Sequence, residues 1–148
     1  MDQRHTMERA ARAGDLDELK RLYFQEGHRL GYRVLVAAAE GNSHSCLDFA
    51  LAHGDGFLDA LHFFDLATTA AARCGHLDML RRLRSLGCPW DATTTLAAAA
   101  NGHLECLKYA VREGCRLTDQ AVSESAKRQH LSCYKFTLKM GRKLRLKK

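Results

Sequence analysis

Small and hydrophobic residues recur along this chain in five blocks, and each block contains two short amphipathic stretches. The first stretch of every block carries a pair of small residues, at Ala10–Ala11, Ala38–Ala39, Ala71–Ala72, Ala98–Ala99 and Ser125–Ala126. The apolar residues of both stretches have the spacing of a helix rather than of a strand. The pattern therefore predicts five pairs of short helices, with small residues where neighbouring helices approach closely.

The second stretch of each block carries one large apolar residue in a constant register. It stands five positions after the residue that separates the two stretches, at Leu19, Leu47, Leu80, Leu107 and Tyr134. We expect this column to lie on the inward face of every second helix, where successive pairs share a core that no single pair could form.

Two series of turn residues mark where the helices end. One series separates the two stretches of a block and consists of Gly14, Asn42, Gly75, Gly102 and Gln129. The other closes each block, with steps of 27, 33, 27 and 27 residues, and consists of Gly27, Gly54, Gly87, Gly114 and Gly141. Because glycine and asparagine favour the left-handed conformation that closes a helix, both series predict helix C-termini.

These columns predict an all-α fold, a solenoid of about five helix-turn-helix repeats in which each unit packs on the next. The expected units are residues 5–30, 31–58, 59–90, 91–117 and 118–141 of a repeat domain that spans residues 1–141. Residues 142–148 then form a basic C-terminal tail. The longer step falls within residues 55–66, which we expect to lengthen the first helix of the third unit or to add a turn before it.

Two segments carry the clearest motif of the chain, AAARCGHLDML at residues 70–80 and AAANGHLECLK at residues 98–108. They resemble the Ala-Ala-x-x-Gly-His-Leu-Glu core of ankyrin repeats, and the resemblance covers residues 5–141. The chain lacks the family's Thr-Pro-Leu-His, and most units are about six residues shorter than the usual 33. The resemblance implies an ankyrin-like stack with β-hairpin fingers shortened or absent. The short form, with GCPWD at residues 87–91, is similar to repeats of giant DNA viruses, amoebae and algae.

Composition narrows the class of protein. The chain has no run of 18 apolar residues, which argues against a membrane span. The first residues, MDQRH, lack the hydrophobic core of a secretory signal, so six cysteines favour a reducing compartment. We expect an intracellular protein, cytoplasmic or nuclear, with an organellar or viral setting left open.

The net charge of +6 is distributed unevenly along the chain. Residues 1–126 contain 14 Lys and Arg against 17 Asp and Glu, whereas residues 127–148 contain nine basic residues and no acidic one. The nine are Lys127, Arg128, Lys135, Lys139, Arg142, Lys143, Arg145, Lys147 and Lys148. Such an end predicts an acidic partner surface, RNA included, or else a solvated terminus that keeps the last unit soluble.

The cysteines and histidines fall in repeat columns, which indicates packing and turn roles rather than chemistry. Five of the six cysteines form two columns, Cys46, Cys106 and Cys133 in one and Cys88 and Cys115 in the other. His76, His103 and His130 each follow a turn residue, where the ankyrin resemblance implies a turn-stabilising hydrogen bond. Since no metal-ligand spacing, catalytic motif or phosphate loop occurs, we expect no enzymatic activity, no metal and no cofactor.

The leading hypothesis is a non-catalytic module for protein–protein interaction. The ankyrin resemblance implies binding through a concave face formed by the first helices and the loops between units. It maps that face onto Arg12, Glu40, Arg73, Trp90, Asp91, Asn101 and Asp119. Trp90 also has a structural interpretation, in which its ring covers the loop side of the core behind Pro89.

Two alternatives stay open at the level of sequence. The first is an architectural subunit of a ribonucleoprotein or another large assembly, anchored by the basic C-terminal end. The second is a homo-oligomer formed through the aromatic residues of the longer step, Phe57, Phe63 and Phe64.

Overall fold

A computed structural model of the chain describes residues 3–54 and 64–145, and the side chains of residues 5–54 and 65–143. Helices account for most of these residues, and no strand occurs among them. The ten helices are α1 (Gln3–Ala13), α2 (Leu16–Phe24), α3 (Tyr32–Glu40), α4 (His44–His53), α5 (Phe64–Cys74), α6 (Leu77–Ser85), α7 (Ala92–Ala100), α8 (Leu104–Arg112), α9 (Asp119–Lys127) and α10 (Leu131–Arg145). The prediction of an all-α fold is confirmed for this part of the chain.

The turn inside each helix pair has the same backbone geometry in all five units. Its central residue is left-handed, with φ of +76° at Gly14, +55° at Asn42, +78° at Gly75, +77° at Gly102 and +60° at Gln129. The next amide then donates a 2.9 Å hydrogen bond to the carbonyl five positions earlier, as from His76 to Ala71. This geometry closes the first helix and starts the second two residues later.

The glycines that close the units behave less uniformly than predicted. Gly27, Gly87 and Gly114 are left-handed, but Gly54 has a φ of −75°. Gly141 does not end a helix, because α10 continues through it to Arg145. Glycine permits the left-handed conformation without imposing it, and no further unit follows in the described residues. Residues 142–145 therefore continue α10 rather than beginning a tail.

The helix pairs pack in sequence along the chain. Each first helix packs on the next first helix, from α1 through α3, α5 and α7 to α9, and also on the second helix of its own pair. The small residues make this close row possible, since Ala11, Ala38, Ala71 and Ala98 are fully buried. Four members of the leucine column, Leu19, Leu47, Leu80 and Leu107, are also 0% exposed.

Two buried threonines tie the exit loop of a unit to its own first helix. The Thr68 hydroxyl lies 3.0 Å from the carbonyl oxygen of Pro89, and the Thr95 hydroxyl lies 2.6 Å from that of Arg116. Both threonines occupy the position seven residues before the turn residue. The loops that leave the third and fourth units are thereby held against the helix row.

Two expectations fall on residues outside the described part. The first is the lengthening expected within residues 55–66, of which residues 55–63 are not described. In the described part, α5 is 11 residues long, whereas α3, α7 and α9 each have nine. The second is the homo-oligomer hypothesis, because the side chains of Phe57, Phe63 and Phe64 are not among those described.

Across the described residues, no helix is both long enough and apolar enough to cross a bilayer.

Emptying a site in the leucine column is expected to destabilise the fold. Leu80→Ala and Leu107→Ala should each lower the free energy of unfolding by about 2–5 kcal/mol, because each leaves a cavity in a fully buried position. Urea denaturation followed by circular dichroism measures the loss. Leu131→Ala is the matched control, since Leu131 is 65% exposed. If both core variants unfold at the same urea concentration as the parent, the column is not the core.

Candidate protein-binding surfaces

The residues predicted to bind a partner lie at the two ends of the first helices. Arg12, Glu40, Arg73 and Asn101 stand at the C-terminal ends, next to the turns, whereas Trp90, Asp91 and Asp119 stand at the N-terminal ends, beside the loops. A nine-residue helix is about 13 Å long, so the two groups are separated by roughly that distance. Each group has different contacts.

Three of the residues at the turn end form one ion-pair cluster. The Nε of Arg12 donates to the Oε2 of Glu40 at 2.9 Å, and the Arg73 guanidinium donates to the other oxygen of the same carboxylate. Glu40 is 17% exposed, while about half of each arginine side chain faces solvent. The cluster joins three successive units and carries a net charge of +1. Each arginine has five N–H donors, so each retains donors that the Glu40 carboxylate does not use.

A groove of about 300 Å³ runs beside this cluster, across α1, α3 and α5. We call it the first-helix groove. Its floor includes Val36 and Ala70, and its wall includes Leu66, which is 45% exposed. The groove therefore combines an apolar surface with charged groups that the cluster holds in fixed positions.

The other predicted residues are engaged in the fold itself. The Asn101 side-chain amide donates to the carbonyl of Ala97 at 2.8 Å, and the Asp91 carboxylate accepts from the amide of Thr93 at 2.8 Å. Asp119 begins α9, and its carbonyl accepts from the hydroxyl of Ser123. Asn101 and Asp91 thus cap the C-terminus and the N-terminus of α7, which is a structural role.

Trp90 packs against the core, in agreement with its structural interpretation. The guanidinium of Arg84 lies over its ring at 4.2 Å, and the ring of Tyr109 meets it edge-on at 5.9 Å. Arg84 and Tyr109 belong to α6 and α8, so the indole lies among the second helices and away from the first-helix groove. Its face is already occupied by a cation–π contact.

The basic residues of the C-terminal end divide into a paired and an unpaired set. Lys127 and Arg128 lie 3.0 and 3.6 Å from the carboxylate of Glu124. The hydrogen bond from Lys127 lowers the pKa of the Glu124 carboxyl, so this acid offsets part of their charge. Glu124 is the last acidic residue of the chain.

The unpaired set forms a continuous surface on α10. It borders a shallow cleft of about 420 Å³ together with Leu138, and consists of Lys135, Lys139, Arg142 and Lys143. Their spacing of four, seven and eight residues places them on one side of the helix. Among the described residues, no carboxylate lies within ion-pair distance of these four. We call this surface the α10 basic face; the side chains of Arg145, Lys147 and Lys148 are not described.

The repeated histidines connect neighbouring units. The Nε2 of His76 donates to the backbone carbonyl of Glu40 at 2.8 Å, so it bridges from the third unit to the second. The rings of His103 and His130 lie against the turn glycines of the preceding units, Gly75 and Gly102. A Cβ at either glycine would come within 2.6 Å of a ring nitrogen. The sequence predicted a turn role for these residues, but it did not reveal that each one acts on the unit before its own.

Five of the six cysteines are buried, which limits the access of reagents to their thiols. Burial raises the pKa of the Cys88, Cys106 and Cys115 thiols to about 11, and that of Cys133 in the same direction. Cys46 is also buried, whereas Cys74 is half-exposed. Within the part of the chain that the structure covers, no three His, Cys, Asp or Glu side chains converge on a point where a metal could bind.

No protein-family model matches the chain, and no curated protein is significantly similar to it. The ankyrin resemblance therefore rests on the residues that carry it.

Thiol labelling is expected to separate Cys74 from the other five cysteines. A thiol of pKa about 11 has roughly a hundredfold less thiolate at pH 8 than one at the ordinary value of 9.0, and the thiolate is the reactive form. Labelling of the native protein with a disulfide reagent should therefore show one fast equivalent, lost in Cys74→Ser, and five that react on denaturation. Several fast equivalents in the Cys74→Ser variant would contradict this assignment.

Proposed function

We propose that the protein is a non-catalytic, ankyrin-like binding module whose first-helix groove and Arg12–Glu40–Arg73 cluster engage a protein partner. The observation that carries the proposal is the convergence of one repeat position from three units on a single exposed cluster. Residues at this position vary from unit to unit, whereas the buried columns around it do not. Variable charge on a uniform scaffold is typical of a surface that recognises a partner.

The chemistry of the groove defines what the partner presents. Val36, Leu66 and Ala70 offer apolar surface for one side chain, and burial of a large apolar side chain is a common anchor of protein interfaces. Arg12 and Arg73 offer guanidinium donors to a carboxylate or a backbone carbonyl. The Glu40 carboxylate holds both guanidiniums in place, so less side-chain entropy is lost when the partner binds. The expected partner segment therefore has an apolar residue next to an acidic one.

Loss of the cluster is expected to weaken partner binding about fivefold or more. Arg73→Ala and Val36→Asp each remove one part of the site, and truncation of a central interface residue costs above about 1 kcal/mol. The partner is first recovered from the native source with the parent protein, and its affinity for each variant is then measured by calorimetry. Arg112→Ala is the control, because Arg112 is also exposed, at 69% of its side chain against 49% for Arg73, but lies on α8. Unchanged affinity in both groove variants would remove this surface as the site.

The α10 basic face supports a second candidate function, that of an architectural subunit anchored to RNA. The specific observation is that four cations share one side of α10 with no described carboxylate within ion-pair distance, whereas Glu124 offsets the charge of Lys127 and Arg128. Such a row costs like-charge repulsion in the isolated protein. Phosphates of an RNA backbone relieve that repulsion and release counterions.

Neutralising the α10 basic face is expected to reduce both RNA affinity and its salt dependence. For single-stranded RNA, the four changes to Gln at Lys135, Lys139, Arg142 and Lys143 should reduce the slope of log K against log salt by up to about 3. Fluorescence anisotropy at several salt concentrations measures the slope. The control changes Lys127 and Arg128 to Gln and should have a smaller effect per charge. Equal slopes in the parent and the fourfold variant would exclude the face as an RNA contact.

A further inference from the structure

A cleft of about 650 Å³ lies between α1, the loop at residues 27–31 and the beginning of α3. It is larger than the first-helix groove and adjoins it at the beginning of α3, where Glu8, Tyr32 and Arg33 line both. Met7 and Val34 give it an apolar wall, and His28, Arg29 and Tyr32 give it a polar one. We call it the loop cleft, and its chemistry points to a ligand different from the partner proposed above.

The strongest sign of a ligand is an unsatisfied nitrogen on His28. Only 9% of the His28 side chain is exposed, and its Nδ1 has no hydrogen-bond partner. The Nε2 lies 3.4 Å from the Glu26 carboxylate, which favours the tautomer with its proton on Nε2. Nδ1 is then an acceptor without a donor. A buried polar group in this state costs free energy that a ligand with a hydroxyl or amide donor would recover.

The equivalent position in later units is closed by small residues. Cys88 and Cys115 follow the closing glycines of the third and fourth units, as His28 follows Gly27 in the first. Both cysteines are buried, and the Cys115 thiol donates to the carbonyl of Asp91. His28 is therefore larger and more polar than the cysteine that occupies the same position in the third and fourth units.

The contacts that hold the exit loop in later units are also missing from the first unit. Thr68 and Thr95 contact their exit loops through hydroxyl groups, but Met7 occupies the same register and has no donor. Asp91 caps α7 with its side chain, whereas the corresponding cap of α3 is Gly31, which has none. A Cβ placed on Gly31 would meet nothing within 4 Å. The loop that leaves the first unit therefore lacks the side-chain contacts that hold the exit loops of the third and fourth units against their first helices.

Charge at the mouth of the cleft favours an anion. Arg29 is exposed, and no described carboxylate pairs with it. The N-terminus of α3 carries the positive end of the helix dipole without a capping side chain, which is a favourable place for a carboxylate or phosphate. Arg33 adds a second cation that lies 4.0 Å from Glu8. Since Glu8 contributes one negative charge, the site suits a singly charged ligand.

We propose that the loop cleft binds a small hydroxylated organic acid. Its carboxylate lies between Arg29 and the N-terminus of α3, its hydroxyl donates to the Nδ1 of His28, and its apolar body packs on Met7 and Val34. The cleft volume is in the range of small-molecule sites. The proposal does not rest on the function proposed above, because Met7, His28 and Arg29 line the loop cleft and not the first-helix groove, although Glu8, Tyr32 and Arg33 line both.

The test uses three simple probes on the full-length protein. 4-Hydroxybenzoate carries the acid, the hydroxyl and an apolar ring, benzoate lacks the hydroxyl, and 4-hydroxybenzyl alcohol lacks the charge. Titration is followed by amide and imidazole chemical shifts in nuclear magnetic resonance spectra. We expect saturable shifts centred on residues 27–34 with 4-hydroxybenzoate, and about tenfold weaker binding of each of the other probes. Absence of saturable shifts at these residues, or equal binding of benzoate, would overturn the proposal.

Variants distinguish the cleft from general attraction of anions to a basic protein. His28→Cys installs the residue of the later units, and Arg29→Gln removes the cation at the mouth; each should weaken 4-hydroxybenzoate binding about tenfold. The matched control is Arg116→Gln, because Arg116 has the same loop position in the fourth unit as Arg29 in the first. Arg29→Gln changes an exposed residue and so tests the site even if His28→Cys destabilises the fold. Equal weakening by Arg116→Gln would show that the attraction is nonspecific.

Discussion

The close approach of neighbouring first helices is the constraint on which the rest of the structure depends. Alanines lie on their contacting faces. At Gly41 there is no room for a side chain, because a Cβ there would come 2.0 Å from the carbonyl oxygen of Arg12. This spacing brings the ends of α1, α3 and α5 within reach of one carboxylate. The ion-pair cluster and the bridge from His76 to the backbone of Glu40 are both consequences of it. Packing and the candidate binding surface are thus set by the same contact.

Much of the fold could be predicted because repetition makes weak signals additive. Gln129 has little intrinsic preference for a left-handed conformation, but its register with three glycines and an asparagine identified it as a turn residue, and its φ is +60°. Gly141 shows the limit of the same reasoning. It stands in register with the closing glycines, yet α10 continues through it to Arg145, because glycine permits a helix end without imposing one.

The candidate site could be predicted less well, because surface side chains respond to neighbours that are distant in sequence. The sequence placed Arg12, Glu40 and Arg73 at one repeat position, and their alternating charge was a readable sign that they pair. The sequence predicts Asn101 and Asp91 as partner contacts, and their residue types are also those that cap helices. The pairing of Lys127 and Arg128 with Glu124 follows from spacings of three and four on a helix. By contrast, the neighbouring sequence does not predict that the buried Nδ1 of His28 lacks a hydrogen-bond partner, because this depends on side chains that are packed around it from other parts of the chain.

The sequential packing of the first helices also fixes the distance between α3 and α9. Three steps separate α3 from α9, and packed helices lie about 8–10 Å apart, so the two are held at most about 30 Å apart. The first-helix groove belongs to units one to three, and the α10 basic face belongs to unit five. Segments bound at these two surfaces would therefore contact different units, and the alanine contacts between the units leave little freedom for their separation to change. Inserting or deleting one helix pair between the two surfaces would change that separation by one step without altering the residues of either surface.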